Sequence, residues 1–459
     1  MSSDKRQMKL GWLMGPHGSH PAGWLHPAAQ LDAHTSFKRY AYMARSAERA
    51  KLDFIFQADA PGARDGDMKA LSRNPTFMNI LEPMTLLSSL IGVTERIGLA
   101  GTVSTSYFEP YNLARQFASM DHLSGGRAAW NVVTSAHPAA GFNFGSDGLE
   151  PHAIRYERAK EFVEVAFGLW DSYDDDAFPL DRETSLYFDP DKMHYLRHKG
   201  KYFSVRGPLN IRRPPQGRPV IFQAGGSEAG RALAAETAEV IFSTDPTFAQ
   251  AKAYYDDMNA RMLAAGRQPG SMNICAGLGV TVAPTQAEAE DRFAAMQARI
   301  HPDVMREFVA NDLEADLSGV DVDEQVPLDR LPREANQHKS YFEKLTGMLS
   351  KEPLTVRQLY LKWQNRGGRR IVGSPQQVAD SMEEWFAGAA SDGFMLTFPL
   401  PTGIDDFGSL VVPELQRRGL FRTDYTGTTL REHLGLPRPT SRYAPAPAME
   451  RAEPETAAI

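Results

Sequence analysis

Residues 124–135 read SGGRAAWNVVTS: a glycine turn runs into an apolar strand that ends in Asn131, Thr134 and Ser135. An apolar run without alternation suits a strand buried on both faces, and polar groups gathered at its C-terminal end point to a ligand there. Seven further runs have the same character: residues 8–14, 53–59, 97–104, 220–224, 240–244, 273–282 and 393–398. Between them, residues 35–51, 111–122, 154–172, 228–238, 247–265, 286–300 and 375–389 carry apolar residues at helical spacing. Eight strand-like runs with helices between them predict an α/β fold, a (β/α)8 TIM barrel, in preference to an open doubly wound sheet.

Two stretches break the repeat. Residues 173–219 are rich in Asp, Tyr, His, Gly and Pro, and residues 301–370 form a second excursion. Long connections in barrel enzymes build and cover the active site, so both are candidate lids, with surface decoration an equally available reading. The expected organisation is one barrel domain over residues 1–436 carrying these two insertions. A Pro- and Ala-rich tail at 437–459 is expected to be poorly ordered or draped on a neighbour.

The chain has 459 residues, with 50 Lys plus Arg against 57 Asp plus Glu, and its net charge of −7 includes no basic block. That argues against nucleic acid and for a small-molecule ligand. The single cysteine, Cys275, excludes an intramolecular disulfide framework, the start MSSDKRQMKL lacks the apolar run of a signal peptide, and no stretch approaches a membrane span. The expectation is a soluble, cytoplasmic protein.

Because strand C-termini of a barrel converge, their end residues can be pooled. They are Asp59; Ser104 and Thr105; Asn131, Thr134 and Ser135; and Gly225, Gly226 and Ser227, which open a helix. Bare backbone amides and a hydroxyl at a helix N-terminus make a phosphate cradle, although one Gly-Gly-Ser is equally an ordinary turn with a Ser cap. His152 and Tyr156, four apart in HAIRY, can share one helix face and reach one object, or belong to a surface aromatic stripe. His17, His20 and His26 follow the first strand, but their spacing matches no metal motif, and no metal site is expected. No nucleophile elbow, Walker loop or dinucleotide fingerprint is present. What the pool shares is neutral polar character, suited to holding a cofactor that brings its own reactivity.

Several motifs resemble the FMN-dependent monooxygenases of the bacterial-luciferase superfamily, in the branch of the nitrilotriacetate, EDTA and dibenzothiophene-sulfone enzymes. They are SGGRAAWNVVTS, HAIRYERA, QAGGS, SYFEPYNLARQFASMDHLSGGR, GPLNIRRPPQGRPVIFQAG and VVPELQRRGLFRTDYTGTTLREHLGL, which together span nearly the whole chain. The resemblance implies an insertion-bearing barrel that takes reduced FMN from a separate NAD(P)H:flavin reductase. With O2 it would oxygenate a substrate through a C4a-(hydro)peroxyflavin. It places Asp59, Thr105, Asn131, His152, Tyr156 and Ser227 on the flavin, joined by Ser104, Thr134, Ser135 and Gly226 of the same strand ends. It also implies a homodimer or homotetramer.

His17, His20 and His301 are the candidate catalytic residues, and Trp12, Trp24, Phe56 and Phe242 the candidate substrate wall. Relatives often carry an arginine where this chain has Leu25, which lowers the odds of a polycarboxylate and favours a hydrophobic or heteroaromatic substrate, provided Leu25 faces the pocket. The competing readings are a deazaflavin-dependent oxidoreductase on the same barrel and a flavin-binding protein without turnover.

Overall fold

The computed structural model describes residues 6–444 apart from 77, 136–137, 336–338 and 367. Its strands are β1 (Lys9–Leu13), β2 (Phe54–Gln57), β3 (Gly98–Ser104), β4 (Ala128–Val133), β5 (His198–Lys199), β6 (Ser204–Val205), β7 (Val220–Gln223), β8 (Val240–Ser243), β9 (Asn273–Val282), β10 (Arg369–Gly373) and β11 (Gly393–Thr397). Eight are parallel and close in the order β1-β2-β3-β4-β7-β8-β9-β11, with Lys9 of β1 opposite Gly393 of β11. These are the eight strands read from sequence, and the barrel is closed.

Alternation along each strand explains the continuous apolar runs. Ala129 of β4 faces inward with Phe54, Phe56, Ala100, Phe222, Val240, Cys275 and Met395. Its neighbours Trp130 and Val132 face outward and pack with Leu99, Val103, Phe162 and Trp170 beneath the helices. The glycine turn before β4 is needed: Gly125 and Gly126 hold φ of 68° and 92°, and a Cβ on Gly126 would lie 2.7 Å from Thr429 Cγ2.

β10 has no counterpart among the predicted strands, because RRIVG reads as charged rather than apolar. It forms since β9 is ten residues long: its first half serves β8 and β11, and residues 278–282 run past the barrel rim to pair with β10.

The floor is sealed by the short helix Leu430–Leu434, whose Leu430 and Leu434, with Leu436, enter the interior cluster. Arg431 fixes it there through two bonds to Glu239, at 2.6 and 3.0 Å, both residues being buried. Gln216 ties the same helix to β4, accepting from Arg431 N and donating to Asp121 and to the Ala128 carbonyl.

That location corrects the lid reading of residues 173–219. The segment leaves the C-terminus of the helix His152–Trp170 and enters the start of β7, so both its ends lie at the floor, and between them it climbs the outer face of that helix, where Lys201 binds Glu157 and Tyr202 N donates to Glu161. It contains the antiparallel hairpin β5–β6. The second excursion is placed as a cap. Its helices Pro302–Leu313, Lys339–Leu349 and Val356–Trp363 enclose a separate apolar core that includes Ala22 after β1 and Leu400 after β11. Arg306 also reaches Asp67, beyond β2, at 3.8 Å.

The described start of the tail is held by its own chain. Arg438 binds both oxygens of Asp175 at 2.7 and 2.6 Å, and the Tyr443 ring stacks on His194 at 4.1 Å. Residues 445–459 lie outside the described residues. Among the described residues no helix is long and apolar enough to cross a membrane.

Candidate active site

A cavity of about 480 Å³ opens at the C-terminal ends of β2, β4 and β7. It brings together seven of the residues predicted to hold the flavin: Asp59, Thr134, Ser135, His152, Tyr156, Gly226 and Ser227. One end is built for an anion. Ser227 caps the helix Glu228–Thr237, its Oγ accepting from Gly230 N at 3.2 Å, which leaves the hydroxyl proton to donate outward. Gly226 beside it has open space where a side chain would stand. Tyr156 Oη lies against the same turn, 3.4 Å from where a Cβ on Gly225 would be, and the His152 and Tyr156 rings are 4.6 Å apart. Burial, then the charge of Arg155, keep the His152 imidazole below its ordinary pKa, so it faces the cavity uncharged at neutral pH.

Arg155 is the residue that the sequence reading passed over. It lines the cavity and binds the backbone carbonyls of Thr134 and Ser135. Ser135 is held at φ 55°, a left-handed conformation that presents the end of β4 to the cavity. One turn along its helix from His152, Arg155 was findable by the i, i+3 spacing that brings residues onto a shared face. Gln223, at the end of β7, was missed as well.

Ser104, Thr105 and Asn131 stand behind this lining rather than in it. Ser104 Oγ bonds Ser135 Oγ at 2.8 Å, Thr105 donates to the Val133 carbonyl at 3.1 Å, and Asn131 Nδ2 donates to Thr102 Oγ1 at 2.9 Å. Thr105 is fully buried. These bonds pin the ends of β3 and β4, so the three act through the residues that line the cavity.

Asp59 closes the other side. Burial, reinforced by Glu82, raises its carboxyl to about 6, so near neutrality it changes from hydrogen-bond donor to charged acceptor. Val132, Val133, Ala140 and Leu233 give an apolar wall between the two polar ends. An anion-binding end, an apolar wall and a titrating polar group fit a phosphate-bearing aromatic cofactor such as FMN.

The candidate catalytic histidines fall elsewhere. His20 is buried with both nitrogens engaged: Nδ1 accepts from Ala22 N at 3.1 Å, and Nε2–H donates to Gln297 Oε1 at 3.0 Å. Burial drives its pKa down to about 4, so it is a neutral clamp between the loop after β1 and the helix after β9. His17 Nε2–H donates to the Gln30 carbonyl at 2.7 Å, and its ring packs on His34 at 4.7 Å. His301 is the N-cap of a cap helix because Pro302 takes the first helical position; its Nδ1 accepts from Asp303 N, and 45% of its side chain is exposed. With Trp24 and Leu25 it borders a second, smaller cavity of about 240 Å³.

The expected aromatic wall is likewise divided. Phe56 and Phe242 face the barrel interior, whereas Trp12 points outward onto Phe398, at 5.6 Å, because Leu13 takes the inward parity in β1. Leu25 does not line the main cavity, so its identity carries no weight against an acidic substrate. Among the described residues no cluster of three or more His, Cys, Asp or Glu could hold a metal ion.

Residues 13–392 match the family described as luciferase-like monooxygenase. The chain is 45% identical to nitrilotriacetate monooxygenase component A of Aminobacter aminovorans over 449 residues, covering 96% of this chain and 98% of that protein. It is 46% identical to N-acetyl-S-(2-succino)cysteine monooxygenase of Bacillus subtilis (strain 168) over 448 residues, covering 97% and 100%. Among solved structures, a riboflavin lyase with modified FMN and riboflavin superposes with a TM-score of 0.82 at 32% identity, over 94% of this chain and 96% of that one. On these matches, and on the closed barrel beneath them, the chain belongs to the luciferase-like monooxygenase family.

Proposed function

We propose that this protein is the oxygenating component of a two-component monooxygenase: it takes reduced FMN from a separate NAD(P)H:flavin reductase and oxygenates a small organic molecule with an apolar body. The observation that carries the reading is the cavity at the strand C-termini whose phosphate-type end is formed by Gly226, Ser227, Tyr156 and Arg155. A relative named as component A supports a separate partner component. Reduced FMN with O2 supplies the oxygenating chemistry when bound. The chain's residues do the rest. Ser227 and Arg155 fix the phosphate, Val132 and Leu233 keep water from the wall, and Asp59 holds or releases a proton at its carboxyl. Phe56 and Phe242 give the substrate an apolar seat. A cytoplasmic location and a homodimeric or homotetrameric assembly complete the proposal.

Rapid mixing of protein and photoreduced FMN with oxygenated buffer tests it. The expected result is a transient absorbance that outlives the reoxidation of free reduced FMN and decays faster with substrate. Reoxidation identical with and without protein, across protein concentrations, would favour the deazaflavin or non-catalytic reading.

Two substitutions probe the site. Ser227→Ala should weaken FMN binding by about 1.5–3 kcal/mol, the value of a hydrogen bond to a charged acceptor. The lost helix cap costs a further ~1 kcal/mol of stability, so a melting curve accompanies the titration. Unchanged FMN affinity removes the hydroxyl from the phosphate site. For Asp59 the sign follows from a raised carboxyl: charge builds up in the cavity as pH rises through about 6. FMN affinity should therefore increase as pH falls through that value in the parent, relative to Asp59→Asn, and superimposable pH profiles would reject the role.

A further inference from the structure

The register of β10 places one arginine at the barrel mouth. Arg370 stands opposite Gly279 of β9, and Gly279 also stands opposite Thr397, the last residue of β11. Gly279 has the inward parity of Cys275 and Gly277; a Cβ on Gly277 would meet the inward-facing Phe242 ring at 2.8 Å. A Cβ on Gly279 would lie 3.5 Å from Thr397 Oγ1 and 3.7 Å from Arg370 Cγ. Arg369 has the opposite parity and turns outward, its guanidinium 4.2 Å from the centre of the Trp385 ring. β10 continues along the edge of β9 that β8 leaves, Ser243 pairing with Ala276 and Arg369 with Leu278, so Arg370 sits on the C-terminal rim of the barrel beyond the end of β8.

Its guanidinium is under-used. It lies over Phe293 at 4.7 Å, Nη2 donates to the neutral Asn365 Oδ1 at 3.1 Å, and Nε is buried without a partner. Among the described residues no carboxylate lies within ion-pair distance of it, whereas Arg366, four residues earlier, is matched to Asp312 at 2.9 Å. A partly buried cation with an orphaned donor and no counter-ion is costly unless something anionic arrives to complete it. A carboxylate does so in the bidentate geometry that a guanidinium offers. Neighbouring His20 is neutral and fully bonded, so it does not compete for the anion.

We propose that Arg370 recognises a carboxylate of the substrate, so that the molecule oxygenated here is an organic acid with its apolar body toward Phe242 and its carboxylate on the β9–β10 rim. The inference rests on the oxygenating reading, since it names that site's substrate class, and it replaces the hydrophobic or heteroaromatic substrate expected from Leu25.

The test is equilibrium binding to protein loaded with oxidised FMN, which needs no turnover. Nitrilotriacetate and N-acetyl-S-(2-succino)cysteine are titrated calorimetrically into the parent, Arg370→Gln and Arg370→Lys. The trimethyl ester of nitrilotriacetate is titrated into the parent. At least one acid should bind the parent saturably while the ester does not. Arg370→Gln should bind at least tenfold more weakly with unchanged FMN affinity and melting temperature, and Arg370→Lys should recover part of the loss. Equal binding of acid and ester, no binding of either acid to the parent, or an Arg370→Lys protein that folds and binds no better than a folded Arg370→Gln protein overturns the assignment. Failure of the rapid-mixing experiment alone would sink the oxygenase reading and leave this binding result standing on its own.

Discussion

Gly225→Val is expected to abolish measurable FMN binding while leaving a folded barrel. Where β7 hands over to the helix Glu228–Thr237, a Cβ on Gly225 would lie 2.9 Å from Gly230 Cα and 3.4 Å from Tyr156 Oη. Two backbones pass each other there without side chains between them, and Tyr156 closes the gap. A branched side chain must push the helix start away, displacing Ser227, the Gly226 amide and Tyr156 together. Losing two such contacts to a charged group corresponds to at least about 100-fold in affinity, or roughly 2.7 kcal/mol. The disturbance is local to one turn, so circular dichroism should show the parent's secondary structure and a melting temperature lower by only a few degrees. Near-parental affinity by fluorescence titration would mean that the ligand's anionic end lies elsewhere.

The largest stability effect should come from the floor. Arg431→Ala removes the bidentate partner of Glu239 and leaves a carboxylate buried beside β7 and β8, for which about 3–5 kcal/mol is the expected loss. The pH dependence gives a second readout. In the parent, burial pulls the Glu239 carboxyl upward, but Arg431, its hydrogen bonds and then Arg218 outweigh it, so the net shift is downward. A depressed carboxyl contributes stability above its unfolded pKa and loses it as pH falls through the folded value. The variant exchanges that for a carboxyl whose burial is far less opposed, so its deficit should be greatest at neutral pH and shrink toward pH ~4, near the unfolded carboxylate value. Urea unfolding at several pH values checks this; a constant deficit would show that packing, not charge, is lost.

How much was legible follows from what each feature depends on. The eight barrel strands were, because a strand with one face on the barrel interior and the other on helices must be apolar throughout. Direction along the chain also assigns each connection to the mouth or the floor, and residues 173–219, falling after a helix and before a strand, were open to that reading. Parity would have exchanged Trp12 for Leu13. The role of Leu430 and Leu434 was hidden, because an amphipathic turn does not say which cavity it fills. The histidines misled for a related reason: Gln30 and Gln297, which occupy His17 and His20, cannot be paired with them from sequence alone. Residues on one strand end or one helical turn, such as His152 and Tyr156, were recoverable because their geometry is local.

The sealing of the floor by Leu430–Leu434 has a consequence for biosynthesis. β1 leaves the ribosome long before its second neighbour β11, which it meets through Lys9 and Gly393, and the plug beneath them comes later still. Throughout translation one edge of β1 stays without its partner and the inner faces of β2, β3 and β4 stay open to water from below. Closure is thus a late event between distant parts of the chain, the kind of topology that slows folding and leaves unpaired strand edges exposed to neighbouring nascent chains in the meantime.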